Sequence, residues 1–163
     1  MTPLSGLPIG AIGDFDIGNT TSHCTKREAP CVQDAMLAAT PEQVEAMQHA
    51  SIARLAKTEA ARPGLVAAGI NSDRKTMADA MYELMVTDLR PELGRIKVPV
   101  EVVYAYDSHY CIEASQVDAM FRNAYASTPN ISFRRIDGSF HFIMLDQPDC
   151  LPVLSSSICP PER

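Results

Sequence analysis

The chain has 163 residues, 46% of them apolar and 21% charged, an ordinary balance for one globular domain with a core of its own. Its net charge is −6 and its lysines and arginines are scattered, so no basic stripe exists to neutralise nucleic-acid phosphates. No apolar run approaches the ~20 residues of a membrane helix, and Met1 to Gly13 lacks the basic start of a signal peptide. A soluble, cytoplasmic protein is expected, with neither nucleic acid nor membrane as partner.

Residues 1–31 carry little periodicity. Pro3, Gly6, Pro8, Gly10, Gly13 and Gly18 mark an irregular N-terminal segment. Asp14 and Asp16 in GDFDIGN lack the length and closing Glu of a calcium loop, so they read as a turn. His23, Cys24 and Cys31 fit no zinc spacing, and no metal or cofactor is expected. The five cysteines are odd in number and follow no disulfide framework; they read as free thiols in a reducing compartment, with Cys24 and Cys31 in a loop.

Helical signals dominate residues 32–90. Thr40-Pro41-Glu42-Gln43 predicts a helix start, with Thr40 as N-cap and Gln43 closing a capping box. Val44, Met47, Ser51 and Leu55 then share one face. Pro63-Gly64 interrupts or restarts the helix, Gly69 stops it, and Ser72 caps the next one. Met77, Met81, Leu84 and Met85 recur at helical spacing. They read as a core-facing stripe, or as a flexible apolar wall over a pocket if these helices form a lid.

Residues 91–99 connect to a different pattern. VEVVYAY at 100–106 is a near-continuous apolar run, the mark of a strand buried on both faces. Ala114 to Ser127 returns to helix, Pro129-Asn130 turns the chain, and ISFRRI at 131–136 alternates like a strand nearer an edge. Strand, helix, strand predicts a parallel crossover. After residue 150, Pro152, Pro160 and Pro161 predict an irregular tail over 151–163.

The two strands each run into a reactive side chain. The first delivers Asp107, and the second delivers His141 beyond the turn Asp137-Gly138-Ser139. Reactive groups collect beyond the carboxyl ends of parallel strands. An acid there orients an imidazole, and the imidazole moves a nucleophile's proton. Asp137 is the competing acid, but its place beside Gly138 suits a turn.

Residues 88–148, with Tyr104-Ala105-Tyr106-Asp107 and GSFHFIMLDQP, resemble the C-terminal part of the α/β-hydrolase family. Gly138 and His141 match that family's histidine loop. The resemblance implies an α/β chain with a partial α/β-hydrolase fold: a helical cap over 32–90, then a strand-helix-strand parallel unit over 91–150. It implies an ester-hydrolase-like activity, with Asp107 and His141 as catalytic acid and base. The sequence departs from the family in one decisive way: it contains no G-x-S-x-G and no oxyanion-hole motif. Ser108, Cys111 and Ser139 lie near the acid and base, yet none stands on a strand-turn-helix elbow.

The chain is therefore expected to be a truncated form, inactive alone, acting in its intact relative on a small apolar or ester substrate. One alternative is a non-catalytic module that binds an apolar ligand or a protein. Another is one half of a two-chain hydrolase, with a complementing N-terminal half. Self-association is a further expectation.

Overall fold

The computed structural model describes residues 22–151, so the Asp14–Asp16 turn and the tail after Leu151 lie outside the described residues, as do the side chains of His23 and Cys24. The chain forms α1 (Ser22–Ala38), α2 (Pro41–Leu55), α3 (Arg62–Asn71) and α4 (Arg74–Val86). Then follow β1 (Val100–Tyr106), α5 (Ala114–Ala124), β2 (Ile131–Asp137) and the short α6 (Ile143–Asp146). The described protein is thus mixed helix and strand, with helices first and a strand-helix-strand unit after them.

The local signals act as their chemistry dictates. Thr40 caps α2 and Gln43 reaches back to the Thr40 amide, so the capping box is complete. Chain reversal after Leu55 runs through a 3-10 turn at Glu59–Ala61, and Pro63 sits in the first turn of α3. Three expectations need correction. Helix begins at Ser22, so residues 22–31 are not irregular and Cys31 is helical, although Pro30 lies inside α1. The packing of α1 along α4 offsets the missing amide, with Ala29 and Ala78 fully buried on the two helices and Gln33 Nε2 donating to Asp79 at 2.8 Å. The cap of α4 is Asp73, which accepts from the Thr76 amide at 2.8 Å; Ser72 ends α3 instead. Finally, Gly69 does not stop α3. It lets the Gln48 side chain lie where a Cβ would otherwise stand.

β1 and β2 pair in parallel, in register from Val100 opposite Ile131 to Tyr106 opposite Asp137. Asn130 (φ 52°) turns the chain into β2, and Gly138 (φ 75°) turns it out, a conformation that glycine adopts without a Cβ clash. Burial alternates along β1. Tyr104 is buried, its ring stacked on Phe121 of α5 at 4.1 Å and its hydroxyl donating to Asp118 at 2.7 Å. On the other face, Val103 and Ala105 are half-buried against Ile136, Ile143 and Cys150. The expectation of a strand buried on both faces is therefore not met: Val102 and Tyr104, two residues apart, are buried on one face, and Val103 and Ala105 are only half-buried on the other. A second small cluster, Ile52, Ala56 and Val66, joins α2 to α3 and packs against Phe142.

Cys150 is buried and held in a disulfide, which corrects the expectation of five free thiols; Cys31 and Cys111 are free. Among the described residues, no helix is long and apolar enough to cross a membrane.

Candidate functional site

The parallel pairing carries two loops to one end of the sheet. Asp107 leaves the end of β1, and residues 138–142 leave the end of β2, its immediate neighbour. The Ser139 amide donates to the Tyr106 carbonyl at 3.3 Å, so the histidine-bearing loop is anchored beside the acid.

The helical region reaches the same end. The C-terminal end of α2 lies against both loops: the Phe142 amide donates to Leu55 O at 3.1 Å, and Tyr110 Oη donates to Arg54 O at 3.1 Å. Lys57 stands between the two loops. Its Nζ donates to Asp107 Oδ2 at 2.7 Å and to Gly138 O at 3.1 Å. Asp146 completes the junction, accepting from the amides of Lys57 (3.1 Å), Thr58 (2.8 Å) and Phe140 (2.9 Å). One carboxylate thus fastens the helical region to the loop after β2.

The electrostatics follow from these partners. Asp107 is only 8% exposed. Burial pushes its carboxyl up, but the Lys57 ammonium and the His109 amide (2.8 Å from Oδ1) outweigh burial and hold it below the ordinary carboxylate range. Asp146 behaves alike: burial opposes ionisation, and the three amides overcome it. Burial pushes the Tyr110 hydroxyl up to about 12, helped by the negative charges of Asp107 and Asp146. Phe140 fills the space between, its ring 5.1 Å from that of Tyr110 and 5.4 Å from that of His109.

The two residues singled out in the sequence meet different fates within this site. Asp107 is buried and fully engaged, by Lys57 on one oxygen and by the His109 amide on the other. His141 is exposed, with its ring edge-on to Phe142 at 5.3 Å, and it makes no hydrogen bond to Asp107 in this structure. The sequence reading missed Lys57 and Asp146 altogether. No local signal marks their joining of the two regions, because the side-chain partners of Lys57 lie 50 and 81 residues away and two of the amides on Asp146 lie 88 and 89 residues away. Of the other nucleophile candidates, Ser139 is fully buried with Oγ donating to Phe140 O at 2.8 Å, whereas Ser108 and Cys111 are exposed. Among the described residues, no group of three or more His, Cys, Asp or Glu side chains is placed to hold a metal ion.

No protein-family model, curated protein or solved structure matches this chain.

Proposed function

We propose that this chain carries the acid and the general base of an α/β-hydrolase-like ester hydrolase, and that the nucleophile is supplied by another polypeptide segment. One observation carries the reading. Neighbouring parallel strands send a buried carboxylate, Asp107, and a histidine-bearing loop to the same end of the sheet, beneath a helical region. In this reading His141 takes the proton from a serine hydroxyl as its oxygen attacks the ester carbonyl. It then passes that proton to the departing alkoxide, and water repeats the sequence to release the acid. Asp107 orients the imidazole and stabilises its protonated form. For that to occur, Lys57 must yield Asp107 Oδ2 to the imidazole.

The chain alone contains no G-x-S-x-G elbow. It is therefore expected to hydrolyse p-nitrophenyl acetate no faster than its His141→Ala variant, since covalent attack and oxyanion stabilisation supply most of such an enzyme's rate. Turnover that disappears in His141→Ala would reveal a nucleophile within the chain. The wider reading is tested by sequencing the transcript 5′ of the Met1 codon and the adjoining genes. A serine elbow in the same frame or in a neighbouring one supports it; its absence from both overturns it.

A further inference from the structure

A groove of about 70 Å3 opens where α1, α2, α3 and α4 meet. It is remote in chemistry from the strand ends: Asp107, His141 and Lys57 take no part in lining it. Three methionines from three helices face it, Met36 from α1, Met47 from α2 and Met77 from α4, together with Val44 and Ile70. Thioether side chains are polarizable and turn easily, so such a wall adapts to the shape of an apolar guest. Met77 and Ile70 remain 39% and 42% exposed, so this apolar surface is not consumed by the fold.

Among the described residues, a single charged side chain lines the groove, Arg74. One of its terminal nitrogens donates to the Ala39 carbonyl, which fixes the guanidinium at the groove wall. Among the described residues, no acceptor meets its other N–H groups. The nearest acid in sequence, Asp73, is committed elsewhere, its Oδ1 accepting from both the amide and the hydroxyl of Thr76 at 2.8 Å. A fixed guanidinium with donors to spare is a fork for a carboxylate. Beside an adaptable apolar wall, it selects a molecule with one charged end and one greasy end. The groove is small and open, and Met77 and Ile70 are exposed along it, so a chain can lie against the wall with part of its length in solvent.

We infer that the groove between α1, α2, α3 and α4 binds a straight-chain aliphatic carboxylate, with Arg74 on the carboxylate and Met36, Met47 and Met77 along the chain. This site is independent of the hydrolase reading.

Methyl NMR of the full chain labelled at methionine Cε tests it, with sodium octanoate, octan-1-ol and sodium acetate as probes. Octanoate should shift the methyls of Met36, Met47 and Met77 saturably while leaving Met120 and Met144 in place. Octan-1-ol should bind about tenfold or more weakly, because it forgoes the charge-assisted hydrogen bonds. Acetate should shift none of them. Arg74→Gln should reduce octanoate affinity to that of octan-1-ol and leave octan-1-ol binding unchanged. The inference falls if octanoate and octan-1-ol bind wild-type chain equally, if Met120 and Met144 move with the other three, or if Arg74→Gln leaves octanoate affinity intact. Should that variant unfold the helices, the wild-type comparison of octanoate with octan-1-ol decides alone.

Discussion

Two carboxylates hold the site together, and each makes a measurable claim. Asp146 accepts three backbone amides that have no other partner among the described residues. Asp146→Ala should cost about 2 kcal/mol, because hydrogen bonds to a charged group are the stronger kind and the stranded amides are partly desolvated. Asp146→Asn, which keeps one acceptor, should cost less. Urea unfolding monitored by circular dichroism checks both. The pH dependence has a definite sign. Asp107 and Asp146 both titrate below their ordinary value in the fold. Their stabilisation is therefore complete above the unfolded value near ~4 and is lost as pH falls through the lower folded values. Wild-type stability should decline in that acid window, and Asp146→Asn should flatten the decline. Lys57 and Asp107 are a coupled pair of unequal exposure, 49% and 9% at the side chain. Lys57→Met leaves a buried oxygen unpaired, whereas Lys57→Met with Asp107→Asn removes the charge as well. The double-mutant cycle should give a coupling of about 1 kcal/mol, reduced by solvent at the lysine end. A coupling near zero would show that the pair is incidental.

At the scale of elements, what the sequence discloses is what acts locally. Thr40 and Gln43 are three residues apart, and their reciprocal bonds need nothing beyond the helix start. The strand-helix-strand unit is likewise readable, because VEVVYAY and ISFRRID carry β-branched and alternating residues between turn signals. The reach of α1 was hidden for the opposite reason. Its first turns carry little periodicity and include Pro30, and the helix runs through that proline packed against α4. Asp107 and the histidine loop were legible as strand ends. The partner that Asp107 chooses was not, since Lys57 is brought to it by the fold rather than by spacing. Pro30 supplies the test at this scale. A proline inside a helix forfeits one backbone bond and crowds the preceding turn, at ~3 kcal/mol in an unsupported helix. Pro30→Ala should raise stability by about 1 to 2 kcal/mol, the remainder having been absorbed by relaxation around α1. Thermal unfolding of the two proteins measures it; an unchanged or lowered midpoint would mean that α1 does not run unbroken through residue 30.

For the whole molecule, the decisive property is how little of it is deeply buried. The apolar core of the described residues is two small clusters, one joining α2 to α3 and one beneath the sheet. Among the described residues the sheet has two strands, so each offers one edge without a strand partner there. An exposed edge with apolar residues is a template for a further strand. Leu84, Leu89 and Val98 add exposed apolar surface along the passage from α4 into β1, at 52%, 63% and 65%. Small cores are marginal in stability, and association is the ordinary way to bury what they leave open. The chain should therefore self-associate at micromolar concentration through the free edge of β1. Where to place a charge that prevents this follows from burial. Val102 is 9% exposed, so Val102→Lys would bury an ammonium and unfold the strand. Val98 stands just before β1 and is open to solvent, so Val98→Lys adds a charge beside the edge at little cost to folding. Sedimentation velocity on wild type and Val98→Lys gives the answer. Wild type should show concentration-dependent oligomers, and Val98→Lys should shift the distribution toward monomer, with an unfolding midpoint that matches that of wild type at dilutions where both are monomeric. A wild-type monomer with one cooperative transition would mean that the edge of β1 is already covered within a single chain.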